Sequence, residues 1–312
     1  MIEYRTLTRD EYPTAVRLWV DVFGIESPFF ETLLEGDAPD GVSVGAFEDG
    51  KLVSSVHVFV RWFRNRDGVP LKVGSIGSVS TLPDARAKGH SSKLLQMAIN
   101  EMEAMNCIWS YLGTGVNDHY AKQGWRTVST AFFRGLLRPT ATAEYLAPAE
   151  VNEKLLDEMA EVYRASSQKV PMTNARSRAM WQSAVRYRVT GAADEVYTAY
   201  DGASMTSYLV TRKADDRVEL VEGAYRQGHE AEYQALVAGR LALAASLGVK
   251  WAICLLPKES VGFAPFAEAC QNVIVGEDRA WMVRPIGDQI SLPDLVAILA
   301  DPRGRRSELD NF

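Results

Sequence analysis

Val79-Ser80-Thr81-Leu82-Pro83-Asp84-Ala85-Arg86-Ala87-Lys88-Gly89-His90-Ser91-Ser92-Lys93-Leu94-Leu95 is the stretch whose reading decides the fold. A β-branched, apolar approach ends at Pro83, a short loop with two cations and a glycine follows, and an amphipathic helix then begins. A helix N-terminus presents free backbone N–H groups and the positive end of the helix dipole. Arg86 and Lys88 add full charges beside them, Gly89 lets the backbone approach a ligand closely, and Ser91 is small enough to leave room at the first helical turn. The pattern predicts a strand, a turn and a helix start that cradle a pyrophosphate.

Upstream of this stretch the apolar residues alternate with period two. Segments 42–47 and 52–63 read as strands joined at Glu48-Asp49-Gly50-Lys51, a hairpin signal. Asn65-Arg66-Asp67-Gly68 makes the next tight turn, and 71–82 is a third antiparallel strand that leads into the cradle. Residues 2–7 read as an opening strand, and Thr8 with Glu11 resembles a capping box. Tyr12, Ala15, Val16, Leu18, Trp19 and Val22 then share one helical face, and Gly24 ends that helix. A second short helix is expected over 28–34, with a loop at 36–41.

Downstream, Leu95, Ala98, Ile99, Met102 and Met105 mark one face of a helix of about fifteen residues. Residues 107–112 form a short apolar strand, Gly113-Thr114-Gly115 is a turn, and 116–124 is one short helix stopped by Gly124. A strand returns over 125–137.

Strand, anion loop, helix, parallel strand and a short helix carrying a tyrosine together make the chain resemble the GNAT superfamily of acyl-coenzyme A N-acyltransferases. The signature of that family is Gln or Arg, two residues, Gly, one residue, then Gly or Ala. Here it stands as Arg86-Ala87-Lys88-Gly89-His90-Ser91, with Ser91 at the last place. The later aromatic-Tyr-x-x-x-Gly-aromatic element is matched by His119-Tyr120-Ala121-Lys122-Gln123-Gly124-Trp125. The resemblance implies that backbone groups of Val79, Ser80 and Thr81 pair with the pantetheine arm of acetyl-coenzyme A, the co-substrate. It implies that Arg86, Ala87, Lys88, Gly89, His90, Ser91 and Ser92 hold the pyrophosphate, and that Asn117 helps orient the arm. Tyr120 is then the general acid that protonates the departing thiolate, a role a phenol at a helix start can fill.

A general base for an amine is harder to place. The strand over 71–82 contains no Asp or Glu. His57 on the preceding strand is one candidate, and a water chain and the terminal carboxylate of Phe312 are the others.

The second half repeats the order of the first. After a linker over 139–148, Val151, Leu155, Met159 and Val162 start an amphipathic helix, and a further helix is expected around 178–187. Strands follow at 195–200, 205–211 and 218–225, then a long helix carrying Tyr233, Leu236, Val237, Arg240, Leu241, Ala244 and Leu247, and a strand over 251–256. The expected architecture is α/β (α+β), with two tandem GNAT-like domains, each a mixed, mostly antiparallel sheet flanked by helices. The boundaries read as 1–139 for the catalytic domain, 149–286 for a degenerate copy and 287–312 for a C-terminal helix and tail.

In the copy the cradle reads Arg226-Gln227-Gly228-His229-Glu230, and Glu230 and Glu232 compete for the N–H groups and repel a pyrophosphate. Where Tyr120 would recur stands Phe266, which has no hydroxyl. The chain also resembles two-domain relatives of the enhanced-intracellular-survival type of aminoglycoside acetyltransferases, and the segment 287–312 is expected to be too short for the sterol-carrier-like third domain of that group.

The expected activity is N-acetyl transfer from acetyl-coenzyme A to a primary amine by direct attack. The alternatives are a mycothiol-synthase-like acetyltransferase and a non-catalytic acyl-coenzyme A sensor. Composition sets the outer limits. A formal net charge of −6 argues against a nucleic-acid partner, which calls for a basic stripe. Cys107, Cys254 and Cys270 are too few and scattered for a disulfide framework or a zinc site, and His57, His90, His119 and His229 have no metal-ligand spacing. No metal is implied. No apolar run is long enough to span a bilayer and no signal peptide opens the chain, so the expectation is a cytoplasmic enzyme without a membrane partner. The expected partner is a small-molecule amine, and a homo-oligomer is compatible with these features.

Overall fold

A computed structural model of the chain describes residues 1–37, 40–140, 142–191, 194–304 and 307–310. Phe312 lies outside the described residues.

The alternating N-terminal segments build the first sheet. β1 (Ile2–Thr6) leads through α1 (Tyr12–Phe23) and α2 (Ser27–Asp37) to β2 (Val42–Glu48), β3 (Lys51–Arg64) and β4 (Pro70–Thr81). α1 buries Tyr12, Ala15, Val16, Leu18 and Trp19, and Gly24 at φ 67° closes it in the left-handed conformation a glycine adopts without strain. These side chains pack with Leu7, Phe47 and Leu52 on one face of the sheet. On the other face, α3 (His90–Ala104) lays Leu94, Leu95, Ala98, Ile99 and Met102 against Val44, Val56, Val58 and Ile76. β5 (Trp109–Gly113), α4 (Asn117–Ala121) and the two-residue β6 (Arg126–Thr127) complete this run.

β7 (Thr130–Leu137) opens the second half. α5 (Glu153–Ser167) is capped by Asn152, whose side chain accepts from the Leu155 N–H at 3.0 Å. α6 (Arg178–Met180) runs through a π turn (Trp181–Val185) into α7 (Arg186–Val189). Then come β8 (Asp194–Asp201), β9 (Ser204–Ala214), β10 (Arg217–Tyr225), α8 (Glu230–Ser246), β11 (Trp251–Cys254), α9 (Phe263–Ala269), β12 (Cys270–Asp278), β13 (Trp281–Pro285) and α10 (Leu292–Leu299).

Two mixed sheets result, flanked by helices as expected for two GNAT-like domains. The first has the strand order β1-β2-β3-β4-β5-β13-β6, and the second β12-β7-β11-β10-β9-β8. Each holds one parallel pair, β4 with β5 and β10 with β11. The halves also exchange strands. β7 sits between β12 and β11 in the second sheet, and β13 sits between β5 and β6 in the first. The single strand expected over 125–137 is therefore two strands in different sheets, and the segment boundaries at 139 and 286 cut across this exchange. Alternation fixes which face a side chain takes and says nothing about which strand lies alongside.

The halves are stitched at further points. Leu33 and Phe59 pack with Met180 and Ala184. Asn174 bridges to Phe63, Arg64 N–H donates to the Thr173 carbonyl at 3.0 Å and Ala175 N–H to the Trp62 carbonyl at 2.7 Å. Among the described residues no helix is long and apolar enough to cross a membrane.

Candidate active site

The site begins where the first sheet opens. β4 pairs with β5 in parallel only at Val73–Trp109, Gly74–Ser110 and Ser75–Tyr111. β4 runs on to Thr81 and β5 to Gly113 without further pairing among the described residues, so the edge carrying Val79, Ser80 and Thr81 diverges from its neighbour. Ser78 stands at φ 50° and the β3–β4 register shifts between Ser55 and His57, a bulge that bends β4 at the opening. A non-glycine residue held at positive φ is local strain of the kind found beside functional sites. Ser80 is anchored toward β3, with its carbonyl accepting from Ser54 Oγ at 2.7 Å and its hydroxyl 3.1 Å from Ser55 Oγ.

Past the opening the chain turns through Pro83–Ala85 into the loop. Ala87 at φ 62° and Gly89 at φ 83° both take the left-handed conformation, and Gly89 caps α3. Among the described residues, the backbone N–H groups of Lys88, Gly89, His90, Ser91 and Ser92 donate to no protein acceptor. Consecutive N–H groups left open at the N-terminus of a fifteen-residue helix form a ready anion site. A Cβ built on Gly89 would meet nothing within 4 Å, so that side of the loop is open.

The side chains of the loop divide. Arg86 is exposed, with its Nε donating to the Thr81 carbonyl at 3.3 Å. Lys88 Nζ reaches Glu48 on β2 at 2.9 and 3.1 Å, so its charge is shared with a carboxylate. His90 contributes its backbone but not its ring to the cradle. The ring is buried, with Nδ1 2.8 Å from Tyr4 Oη and Nε2 3.1 Å from Glu48 Oε1. Lys88, followed by His90, pulls the Glu48 carboxyl below the usual range. Tyr4 and Glu48 escape a reading by local motif because they come from β1 and β2, over forty residues away.

Tyr120 lies on α4 and is 8% exposed, packed in the same core cluster as Ala85 and Leu94. Burial pushes its pKa up, with the Thr114 side chain pulling weakly the other way, so the phenol stays protonated. Beside it, His119 Nε2 is 2.9 Å from Ser91 Oγ on the first turn of α3. This contact joins the tyrosine-bearing helix to the cradle. Burial, helped by Lys122, pulls the His119 pKa below the usual histidine value. Asn117 is committed elsewhere: its amide nitrogen donates to Thr127 Oγ1 at 2.8 Å and to the Arg279 carbonyl at 2.9 Å. It braces α4 against β6 and the approach to β13.

His57 is fully buried among the rings of Tyr12, Trp19 and Phe59, with Nδ1 2.7 Å from Ser43 Oγ. That environment suits a packed core histidine. Two residues before Phe312, Asp310 is drawn into the interior. Arg176 Nε donates to Asp310 Oδ1 at 2.8 Å, and its other nitrogens donate to Glu222 at 3.0 and 2.6 Å. None of the Arg176 or Glu222 side chain is exposed.

In the second half β10 and β11 diverge in the same way beyond Leu220 and Cys254. There the loop is occupied by its own acid, because the Gly228 N–H donates to Glu230 Oε1 at 3.2 Å. Phe266 is completely buried. A cavity of about 670 Å³ lies between the second sheet and the C-terminal segment, lined among others by Phe132, Glu219, Trp281 and Asp301. Neither Tyr120 nor any cradle residue lines it, so the candidate site is placed by its chemistry and not by cavity size.

Residues 3–128, which include the opening, the loop and Tyr120, match the model of an acetyltransferase (GNAT) domain. This segment is a GNAT domain. No curated protein matches the chain's sequence. Among solved structures the chain is similar to a probable N-acyltransferase of unknown function from Enterococcus faecalis V583, at TM-score 0.68 and 18% identity over 92% of this chain and 73% of that one. It is similar to Eis1 from Mycobacterium abscessus, at TM-score 0.65 and 18% identity over 92% and 74% of the two chains. Saccharomyces cerevisiae N-myristoyltransferase with bound myristoyl-CoA aligns at TM-score 0.54 and 8% identity over 91% and 79%. At these identities the likeness is one of fold, and it extends through the second GNAT-like half.

Proposed function

We propose that the GNAT domain transfers an acetyl group from acetyl-coenzyme A to the primary amine of a small molecule, with Tyr120 as general acid. The observation that carries this reading is the run of open N–H groups from Lys88 to Ser92 beside the divergent β4 edge, with a protonated tyrosine tied to the same helix start. The residues present fit a coenzyme A thioester: Lys88 to Ser92 for the pyrophosphate, the free edge at Val79 to Thr81 for the amide-bearing arm. The amine nitrogen attacks the thioester carbonyl, the C–S bond breaks, and the Tyr120 hydroxyl gives its proton to the departing sulfur. As base we propose a water chain or the carboxylate of Phe312, since 71–82 carries no acid and His57 is enclosed by three rings. The protein would act as a soluble enzyme of the cytoplasm on an acceptor delivered by neither nucleic acid nor membrane.

Tyr120→Phe removes one oxygen and should lower kcat by about 10²-fold or more while leaving coenzyme A binding intact by calorimetry. Near-normal turnover would remove Tyr120 from the mechanism. Absence of free-thiol release from acetyl-coenzyme A with every amine in a broad panel, despite tight binding, would instead favour the sensor.

A further inference from the structure

Two positions that the sequence presents as separate motif places meet in space. Ser91 stands where the coenzyme signature carries Gly or Ala, and His119 stands at the aromatic place before Tyr120. Their side chains are 2.9 Å apart, Ser91 Oγ to His119 Nε2. Neither a glycine nor a hydrocarbon ring could make this contact.

The bond falls on an element that needs it. α4 is five residues long, too short to hold its own direction in water. Its orientation is set by what it touches. Asn117 ties its first turn to Thr127 and Arg279, and His119 ties its last turn to α3. The His119 ring sits edge-on to Tyr120, at 5.1 Å between centroids and 83° between planes. Burial favours the neutral imidazole, and the contact forms in either of its tautomers, with the Ser91 hydroxyl donating to Nε2 or the Nε2–H donating to the Ser91 oxygen. The Ser91 backbone N–H stays open for the cradle.

We propose that His119 is a positioning residue whose bond to Ser91 fixes Tyr120 relative to the anion loop, so that the acid and the cradle hold one geometry. The inference rests on the reading of Tyr120 as the general acid. Ser91→Ala, His119→Phe, the double variant and His119→Gln in the full chain test it, with Tyr120→Phe assayed alongside and thermal melts recorded for each. The expected result is a loss in kcat of about 2–10-fold for Ser91→Ala and for His119→Phe, the value of one hydrogen bond, with KM for acetyl-coenzyme A unchanged. The double variant should lose no more than the worse single one, and His119→Gln, which keeps a polar atom near the Nε2 place, should recover most of the rate. Losses that multiply in the double variant, or wild-type kcat in Ser91→Ala, would overturn the proposal. Ser91→Ala removes a single oxygen and carries the test by itself if His119→Phe melts early. If Tyr120→Phe collapses turnover while Ser91→Ala does not, the positioning role falls and the acid survives; if Tyr120→Phe is silent, both fall.

Discussion

Arg176 offers the most exacting test of how the second half and the C-terminal segment are held together. Its guanidinium is fully buried and makes four hydrogen bonds to two carboxylates: 2.8 and 3.1 Å to Asp310, 3.0 and 2.6 Å to Glu222. Its carbon atom also lies 4.4 Å from the Tyr163 ring centre and 4.9 Å from that of Trp181. Arg176→Met keeps most of the volume and leaves two buried carboxylates without their cation, a change that costs about 3–5 kcal/mol. Asp310→Ala leaves Arg176 still paired with Glu222, so it loses charge-assisted bonds worth about 1.5–3 kcal/mol and no charge is stranded. The order is the decisive feature: Arg176→Met should melt about 6 °C or more below the wild type, and Asp310→Ala should fall between them. Removing all three charges together, as Arg176→Met, Glu222→Leu and Asp310→Leu, should recover much of the loss because no buried charge remains. Differential scanning calorimetry and urea melts read these values. An Arg176→Met protein as stable as the wild type, or one more stable than Asp310→Ala, would refute the reasoning.

Asp301 gives an acid-sensitive anchor. Hydrogen bonds from Arg303, with Arg66 adding its charge, hold its pKa down to about 2. A carboxyl lowered in the folded state stabilises it above the ordinary carboxylate pKa of about 3.9, and that contribution fades as pH falls toward the folded value. Pepsin nicking of the segment after α10 should therefore rise between these two values, and Asp301→Asn should remove the step; identical profiles would count against the anchor. Deleting Phe312 should move the pH–rate profile for amine acetylation to higher pH if its carboxylate takes the amine proton, and an unchanged profile would exclude it.

The parts of the fold that were legible in the sequence are those whose causes lie close together along the chain. Gly24, the turn at Glu48-Asp49-Gly50-Lys51 and the apolar face from Leu95 to Met105 each state a local preference, and α1, β2, β3 and α3 follow. The left-handed turn at Gly89 and the short helix that carries Tyr120 were legible for the same reason. The strand exchange was not, because Thr130–Leu137 would alternate equally well in either sheet, and the choice depends on partners more than a hundred residues away. The parking of Lys88 on Glu48, the His90–Tyr4 contact and the Ser91–His119 bond escape for the same physical reason: a side chain's partner is set by tertiary packing, which spacing along one strand or helix does not encode. Arg176 reads as an ordinary loop cation until Glu222 and Asp310 are seen to enclose it.

The exchange of β7 and β13 also governs the order in which this protein can be made. Until Trp281–Pro285 has left the ribosome, β5 has an open edge and β6 has no strand to pair with, since β13 supplies both contacts. The brace from Asn117 to the Arg279 carbonyl is missing for the same interval. The nascent N-terminal half must therefore wait, with its candidate acid on an unsecured helix, while some one hundred and fifty further residues are synthesised. At about 5–20 residues per second that wait lasts several seconds or longer, a window in which a holding chaperone would find an incomplete sheet edge. A fragment ending at residue 139 would be caught in that state permanently.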